Sequence, residues 1–104
     1  SKQTLDIVYS NADGKTTDRT IEPEHITNYE GAWYLIAYDW SREDIRTFNL
    51  SRIGKISLSN EPFKNHDENY KKRLDSFIYE NYGIFKGDVT TTVKQIYVKR
   101  KKQM

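Results

Sequence analysis

Cysteine is absent from the 104 residues, which excludes a disulfide framework and any cysteine-based metal site and fits a reducing compartment. No apolar run approaches the ~18 residues that a membrane-spanning helix needs. The opening Ser1-Lys2-Gln3-Thr4-Leu5-Asp6 lacks the apolar core of a signal peptide, so it reads as a boundary rather than a natural start, and the expected location is cytoplasmic, away from membranes. Histidine is scarce, with His25 and His66 standing apart and no His-x-x-x-His spacing, so no metal site is expected. Neither a Gly-x-Ser-x-Gly elbow nor a Gly-x-x-x-x-Gly-Lys phosphate loop occurs, and the five glycines read as turn residues. The carboxylate pairs Glu43-Asp44 and Asp67-Glu68 fall in a turn and at a helix start, where solvation and helix-dipole complementarity account for them. We therefore expect no enzyme and no cofactor. Asn49-Leu50-Ser51 matches a glycosylation triplet, but it lies in a strand-like run without a secretion signal, and we discount it.

Bulk charge of one sign is also missing. The net charge is +2, yet residues 94–104 hold Lys94, Lys99, Arg100, Lys101 and Lys102 without an acid. Removing those five from the 17 basic residues leaves 12 against 15 acidic, or −3 for the remainder. Polyanion binding by the body would thus require local clustering of cations. The tail itself reads as a solvated, frayed terminus, with a phosphate-contacting arm as the sharper alternative.

What is present begins with Trp33-Tyr34-Leu35-Ile36-Ala37-Tyr38-Asp39, too short for a globular helix and rich in strand formers. Trp33, Leu35 and Ala37 read as core, whereas Tyr34 adds a hydroxyl that needs a partner. After Trp40-Ser41-Arg42-Glu43-Asp44 comes a second run through Ile53, the spacing of a hairpin. Alternation places Arg46, Phe48, Leu50 and Arg52 on one face of that strand. Two arginines there offer planar donor forks suited to phosphate or carboxylate, and neighbouring aromatic rings suit stacked bases.

Upstream, Leu5-Asp6-Ile7-Val8-Tyr9 alternates as a strand, Ser10 to Gly14 is turn chemistry, and Lys15 to Glu22 pairs back. Pro23 marks a bend, His25 to Tyr29 reads as a short third strand, and Glu30-Gly31 turns into the Trp33 strand. Lys55 to Ser59 alternates again. Several short strands joined by small turns predict a small curled sheet or barrel. The period then changes: Tyr70, Leu74, Phe77 and Ile78 predict a helix, capped by Asn65 with Glu68 and ended by Gly83. Asp88 to Val98, with Val89, Thr91 and Val93 alternating, predicts a closing strand.

Trp33-Tyr34-Leu35, then Ala37-Tyr38-Asp39, then Arg46-Thr47-Phe48-x-Leu50-x-Arg52-Ile53 resemble the signature of the WYL domain. Ile7-Val8-Tyr9, Asp13-Gly14 and Arg19-Thr20-Ile21-Glu22-Pro23 match its opening hairpin in order and spacing, so the likeness covers roughly residues 4 to 59. It implies a mainly β architecture, a small Sm/SH3-like β-barrel over 1–60, followed over 61–104 by one helix and a C-terminal strand that open the family's C-terminal extension. It also implies a ligand-sensing regulatory domain of a bacterial transcription regulator, following an N-terminal helix-turn-helix. The implied ligand is negatively charged, a nucleotide or single-stranded nucleic acid, held by Arg19, Tyr34, Arg46, Phe48 and Arg52. Asn49 and Ser51 depart from the family, whose members often carry charged residues there. A homodimer is the expected assembly. Two other readings differ in kind: a direct nucleic-acid-binding accessory module, which needs one continuous basic face, and a structural dimerisation module, which would tolerate loss of Arg46.

Overall fold

The computed structural model describes residues 2–81 and 89–102. Five antiparallel strands come first: β1 (Gln3–Ser10), β2 (Thr16–Tyr29), β3 (Ala32–Asp39), β4 (Asp44–Asn49) and β5 (Ile53–Pro62). Helices α1 (Glu68–Asn81) and α2 (Val89–Lys102) follow. The sheet order is β4-β3-β2-β1-β5. The curled sheet matches the predicted barrel-like class, but β4 and β5 remain edges and the barrel is not closed.

The β1–β2 connection turns at Asn11 to Gly14, where the Gly14 amide donates to the Asn11 carbonyl at 2.9 Å and Gly14 takes φ +85°. Glu30 (φ 50°) and Gly31 (φ 82°) make the two-residue β2–β3 hairpin. Two successive positive φ values are the conformation whose twist matches the flanking strands. Between β3 and β4 the loop is Trp40 to Glu43, since Asp39 pairs with Asp44.

The predicted short strand at His25–Tyr29 is not separate. It continues β2 through a bulge, because Pro23 pairs with Ala37 while His25 pairs with Ile36. The extra residue reverses the alternation: Arg19 and Ile21 face the core before it, Ile26 after it. One strand thus shows two inward patterns, which in sequence look like two strands.

The strand predicted to run through Ile53 also ends early, at Asn49. The Asn49 side chain accepts from the Ser51 amide at 2.9 Å and from the Ser51 hydroxyl at 2.8 Å. That local capture draws Leu50–Arg52 into a 3-10 turn. The chain then leaves as β5 on the other side of β1.

Leu5, Ile7, Ile21, Ile26, Leu35, Ala37, Phe48, Leu50 and Ile53 form the core on one face of the sheet. Val93 of α2 joins them, with Val89, Ile96 and Tyr97 packed alongside. The predicted C-terminal strand is therefore a helix. Val89, Val93, Ile96 and Tyr97 stand at i, i+4, i+7 and i+8, so one face of a helix covers the open core. Lys99 to Lys102 lie in its last turn rather than in a frayed tail.

Helix α1 packs on the reverse face. Asp67, not Asn65, caps it, its carboxylate accepting from the Tyr70 amide at 2.9 Å. The predicted stop at Gly83 lies outside the described residues. Glu22, with no exposed surface, is fully engaged by Trp40 Nε1 (2.7 Å), His66 Nε2 (2.8 Å) and the Lys64 amide (3.2 Å). His66 stacks on Tyr70 at 3.7 Å, and Tyr38 meets both rings edge-on. The Tyr70 hydroxyl donates to Glu24 at 2.7 Å. Among the described residues no helix is long and apolar enough to cross a membrane.

Two stability measurements test this arrangement. Leu35 is wholly buried, so Leu35→Ala should lose ~2–5 kcal/mol in urea unfolding. A loss well below that range would mean the inward face of β3 is misassigned. Burial, opposed by the Tyr70 bond, raises the Glu24 pKa above its ordinary 4.5. The folded protein therefore holds this proton more tightly than the unfolded chain, and stability must fall as pH rises from about 4.5 through the folded value. Glu24→Gln, which still accepts from Tyr70, should lack that contribution. Its stability relative to the parent should rise as pH climbs from about 4.5 through the raised folded value of Glu24.

Candidate anion-binding site

The predicted binding residues divide between the two faces of the sheet. Arg46 pairs with Ala37 and Phe48 with Leu35, both core-facing partners. Tyr34 alternates to the reverse face, opposite Asn49 and Thr27. It is not part of the group that surrounds Arg46.

That group lines an open cavity of about 400 Å³ at the corner where β4 becomes the 3-10 turn. Its walls are the β1–β2 turn (Asn11, Ala12, Asp13), Arg42 of the β3–β4 loop, Arg46 of β4 and Arg52 of the 3-10 turn, over Tyr9 and Phe48. Arg52 reaches the cavity from the turn and not from a shared strand face. Three guanidinium groups thus arrive from three different segments. Arg42 and Arg52 are exposed and Arg46 is half-buried. Among the described residues no ion pair joins any of the three to a carboxylate. Asp13, which accepts from the Lys15 amide at 3.0 Å, is the acidic group in the wall.

The floor is fixed by ring packing. Tyr9 and Phe48 meet edge to face, with centroids 5.0 Å apart at 89°. The Tyr9 hydroxyl accepts from the Asn49 amide at 3.0 Å, fastening β1 to the end of β4.

Arg19 lies behind that floor, 6% exposed, and its donors are already taken. Nη1 donates to Asp39 at 2.6 Å, Nη2 to Asn11 at 2.8 Å and Nε to Thr17 at 3.1 Å. The guanidinium sits 5.7 Å from the Tyr9 ring and 5.8 Å from the Phe48 ring. Asp39 also accepts from the Ser41 amide (3.0 Å) and hydroxyl (2.8 Å), which sets the residue before Arg42. Arg19 therefore holds two walls and the floor in place. Sequence reasoning overlooked Tyr9 and Arg42 as site residues. Tyr9 shares the inward face of β1 with Leu5 and Ile7, and Arg42 sits in a loop whose closure is set by the Asp39–Asp44 pair.

A small, curled antiparallel sheet with an arginine-lined corner defines a module of the β-barrel-like class. More particularly, the chain belongs to the WYL domain family, whose model matches residues 1–58. It is 34% identical over 64 residues to the Uncharacterized HTH-type transcriptional regulator YobV of Bacillus subtilis (strain 168), covering 62% of this chain and 20% of that protein. It is 47% identical over 38 residues to Protein PafB of Mycobacterium tuberculosis (strain ATCC 25618 / H37Rv), covering 36% of this chain and 11% of that protein. The Proteasome accessory factor B/C (PafBC) structure of Arthrobacter aurescens superposes with a TM-score of 0.53 at 30% identity, over 71% of this chain and 12% of that one. The chain thus spans a fifth or less of these relatives.

Removing one member of a buried ion pair strands the other charge, at ~3–5 kcal/mol. Arg19→Ala should lose that much stability, and the double variant Arg19→Ala, Asp39→Ala should lose much less than the sum of the two single losses. Additive losses in chemical denaturation would show that the pair is not coupled.

Proposed function

We propose that this chain is the ligand-sensing domain of a bacterial cytoplasmic transcription regulator, and that its ligand is an anion, a nucleotide or single-stranded nucleic acid, bound in the arginine-lined corner. The observation that carries the reading is the convergence of Arg42, Arg46 and Arg52 over an aromatic floor, without carboxylate partners among the described residues. Unpaired guanidinium groups in a small volume repel one another, and an anion relieves that repulsion while accepting forked hydrogen bonds. Tyr9, only half-buried, offers ring surface to a base, while Phe48, 1% exposed, backs it from the core, and Arg19 acts as a positioning residue. The name of the Bacillus relative includes a helix-turn-helix regulator, which supports an N-terminal DNA-binding segment in the full-length protein.

Binding should reveal Arg46 directly. Losing a charged hydrogen-bonding partner costs ~1.5–3 kcal/mol, roughly 10- to 150-fold in affinity. Arg46→Ala should therefore weaken binding of nucleotides and short oligodeoxythymidylates by that factor while its circular dichroism stays that of the parent. Undiminished affinity in a folded variant would remove the corner as the site.

A further inference from the structure

Arg42 reaches the corner from the β3–β4 loop, and the two residues before it are fastened on opposite faces of the sheet. On the core face, Ser41 donates its amide (3.0 Å) and hydroxyl (2.8 Å) to Asp39, the partner of Arg19. On the reverse face, the Trp40 indole donates to Glu22 Oε2 at 2.7 Å. The Lys64 ammonium lies 4.7 Å from the centroid of the Trp40 ring. Glu43, directly after Arg42, takes φ 52°, a left-handed conformation that few residues other than glycine adopt. Such a conformation persists only where surrounding contacts over-determine it. The path of the loop is thus set by its anchors.

The Glu22 anchor is shared with the segment that leads into α1. Its Oε2 also accepts from the Lys64 amide at 3.2 Å, and its Oε1 meets His66 Nε2 at 2.8 Å. Glu22 has no exposed surface, so losing any of these donors leaves a buried charge partly unpaired. The indole, the Lys64 amide and His66 are therefore held as one set.

We propose that Trp40, anchored on Glu22, is a positioning residue for Arg42, and that the lead-in to α1 thereby tunes the anion corner from the opposite face of the sheet. This rests on the corner being the anion site. Neither Trp40 nor His66 lines the cavity, so their influence on binding passes through the loop. A fastened loop holds Arg42 at the cavity before the ligand arrives and lowers the ordering cost of binding. By reciprocity, an anion that engages Arg42 strengthens the anchor.

The experiment titrates adenosine triphosphate into the parent, Trp40→Phe, Arg42→Ala, the double variant Trp40→Phe, Arg42→Ala, and Arg46→Ala, each checked by circular dichroism. Trp40→Phe keeps a ring and removes the bond to Glu22. Arg42→Ala should weaken binding about 10-fold or more, as expected for a lost charged hydrogen-bonding partner. Trp40→Phe should weaken it about 3-fold or more in the parent, but by less than about 2-fold in the Arg42→Ala background, the usual error of additivity. Equal losses in the two backgrounds, or unchanged affinity in Trp40→Phe, overturn the positioning role. Hydrogen exchange on the parent needs no substitution and decides the matter where Trp40→Phe does not fold. Saturating nucleotide should slow exchange of the Lys64 amide, and exchange indifferent to nucleotide overturns the link to α1. Arg46→Ala separates the two readings. Undiminished affinity there removes the corner itself, whereas a weakened Arg46→Ala beside an unaffected Trp40→Phe removes only the positioning role.

Discussion

The buried pair between Arg19 and Asp39, 2.6 Å apart, is the contact on which the candidate site depends. A buried pair repays its desolvation only when its remaining hydrogen-bonding capacity is also filled. Here Asn11 and Thr17 take the other Arg19 donors, and the Ser41 amide and hydroxyl engage the other Asp39 oxygen. Each accessory bond reaches a segment beside the cavity. The requirement that a buried charge be satisfied therefore also specifies the shape of the β1–β2 turn and the start of the Arg42 loop. Of the four arginines grouped here, the one with neutralising partners builds the site, and the other three face its opening.

The sheet separates this work from the task of holding the helices. On the reverse face, Glu22 joins Trp40, His66 and the chain entering α1, and Glu24 takes the Tyr70 hydroxyl. Burial keeps the Tyr70 phenol neutral by raising its pKa, so it remains a donor to Glu24. The β2 bulge between Pro23 and His25 lets one long strand supply both Ile21 and Ile26 to the core. On the core face α2 seals the opening that an unclosed barrel leaves. Its side chains enter the same cluster as those of β1 to β4, so the sheet's apolar face and the helix are completed together.

Much of this was legible in the sequence because it rests on local pattern. The β3 core, the hairpin signals at Asp13-Gly14 and Glu30-Gly31, and the apolar stripe of α1 all express a period or a backbone preference. The misreadings occur where a nonlocal or side-chain effect intervenes. Val89 to Val93 is rich in β-branched residues, and strand propensity dominates in so short a window. Packing of Val89, Val93, Ile96 and Tyr97 on the open core favours the helical period instead. The resemblance groups Tyr34 with the arginines, and alternation from buried Leu35 sets it on the face opposite Arg46, which a motif read along the chain does not show. Arg52 does reach the cavity, but through a turn specified by the Asn49 side chain and Ser51 rather than along a continuous strand.

That turn decides which arginines share the corner. A straight strand would set Arg46 and Arg52 six residues apart along one edge, about 20 Å at extended spacing. Asn49 and Ser51 bend the chain between them, so that both line one cavity. The capture of the Ser51 amide needs a short side chain with an acceptor oxygen two residues upstream, which Asn49 supplies. The remainder of the chain outside residues 94–104 carries −3, which disfavours a diffuse approach of polyanions to the body. At physiological salt, where charges are screened beyond about 8 Å, a ligand close to the corner senses the clustered guanidinium groups more than the distant carboxylates. The local concentration of cations at this corner is therefore a consequence of the bend, which brings Arg46 and Arg52 to one cavity, rather than of the charge of the protein as a whole.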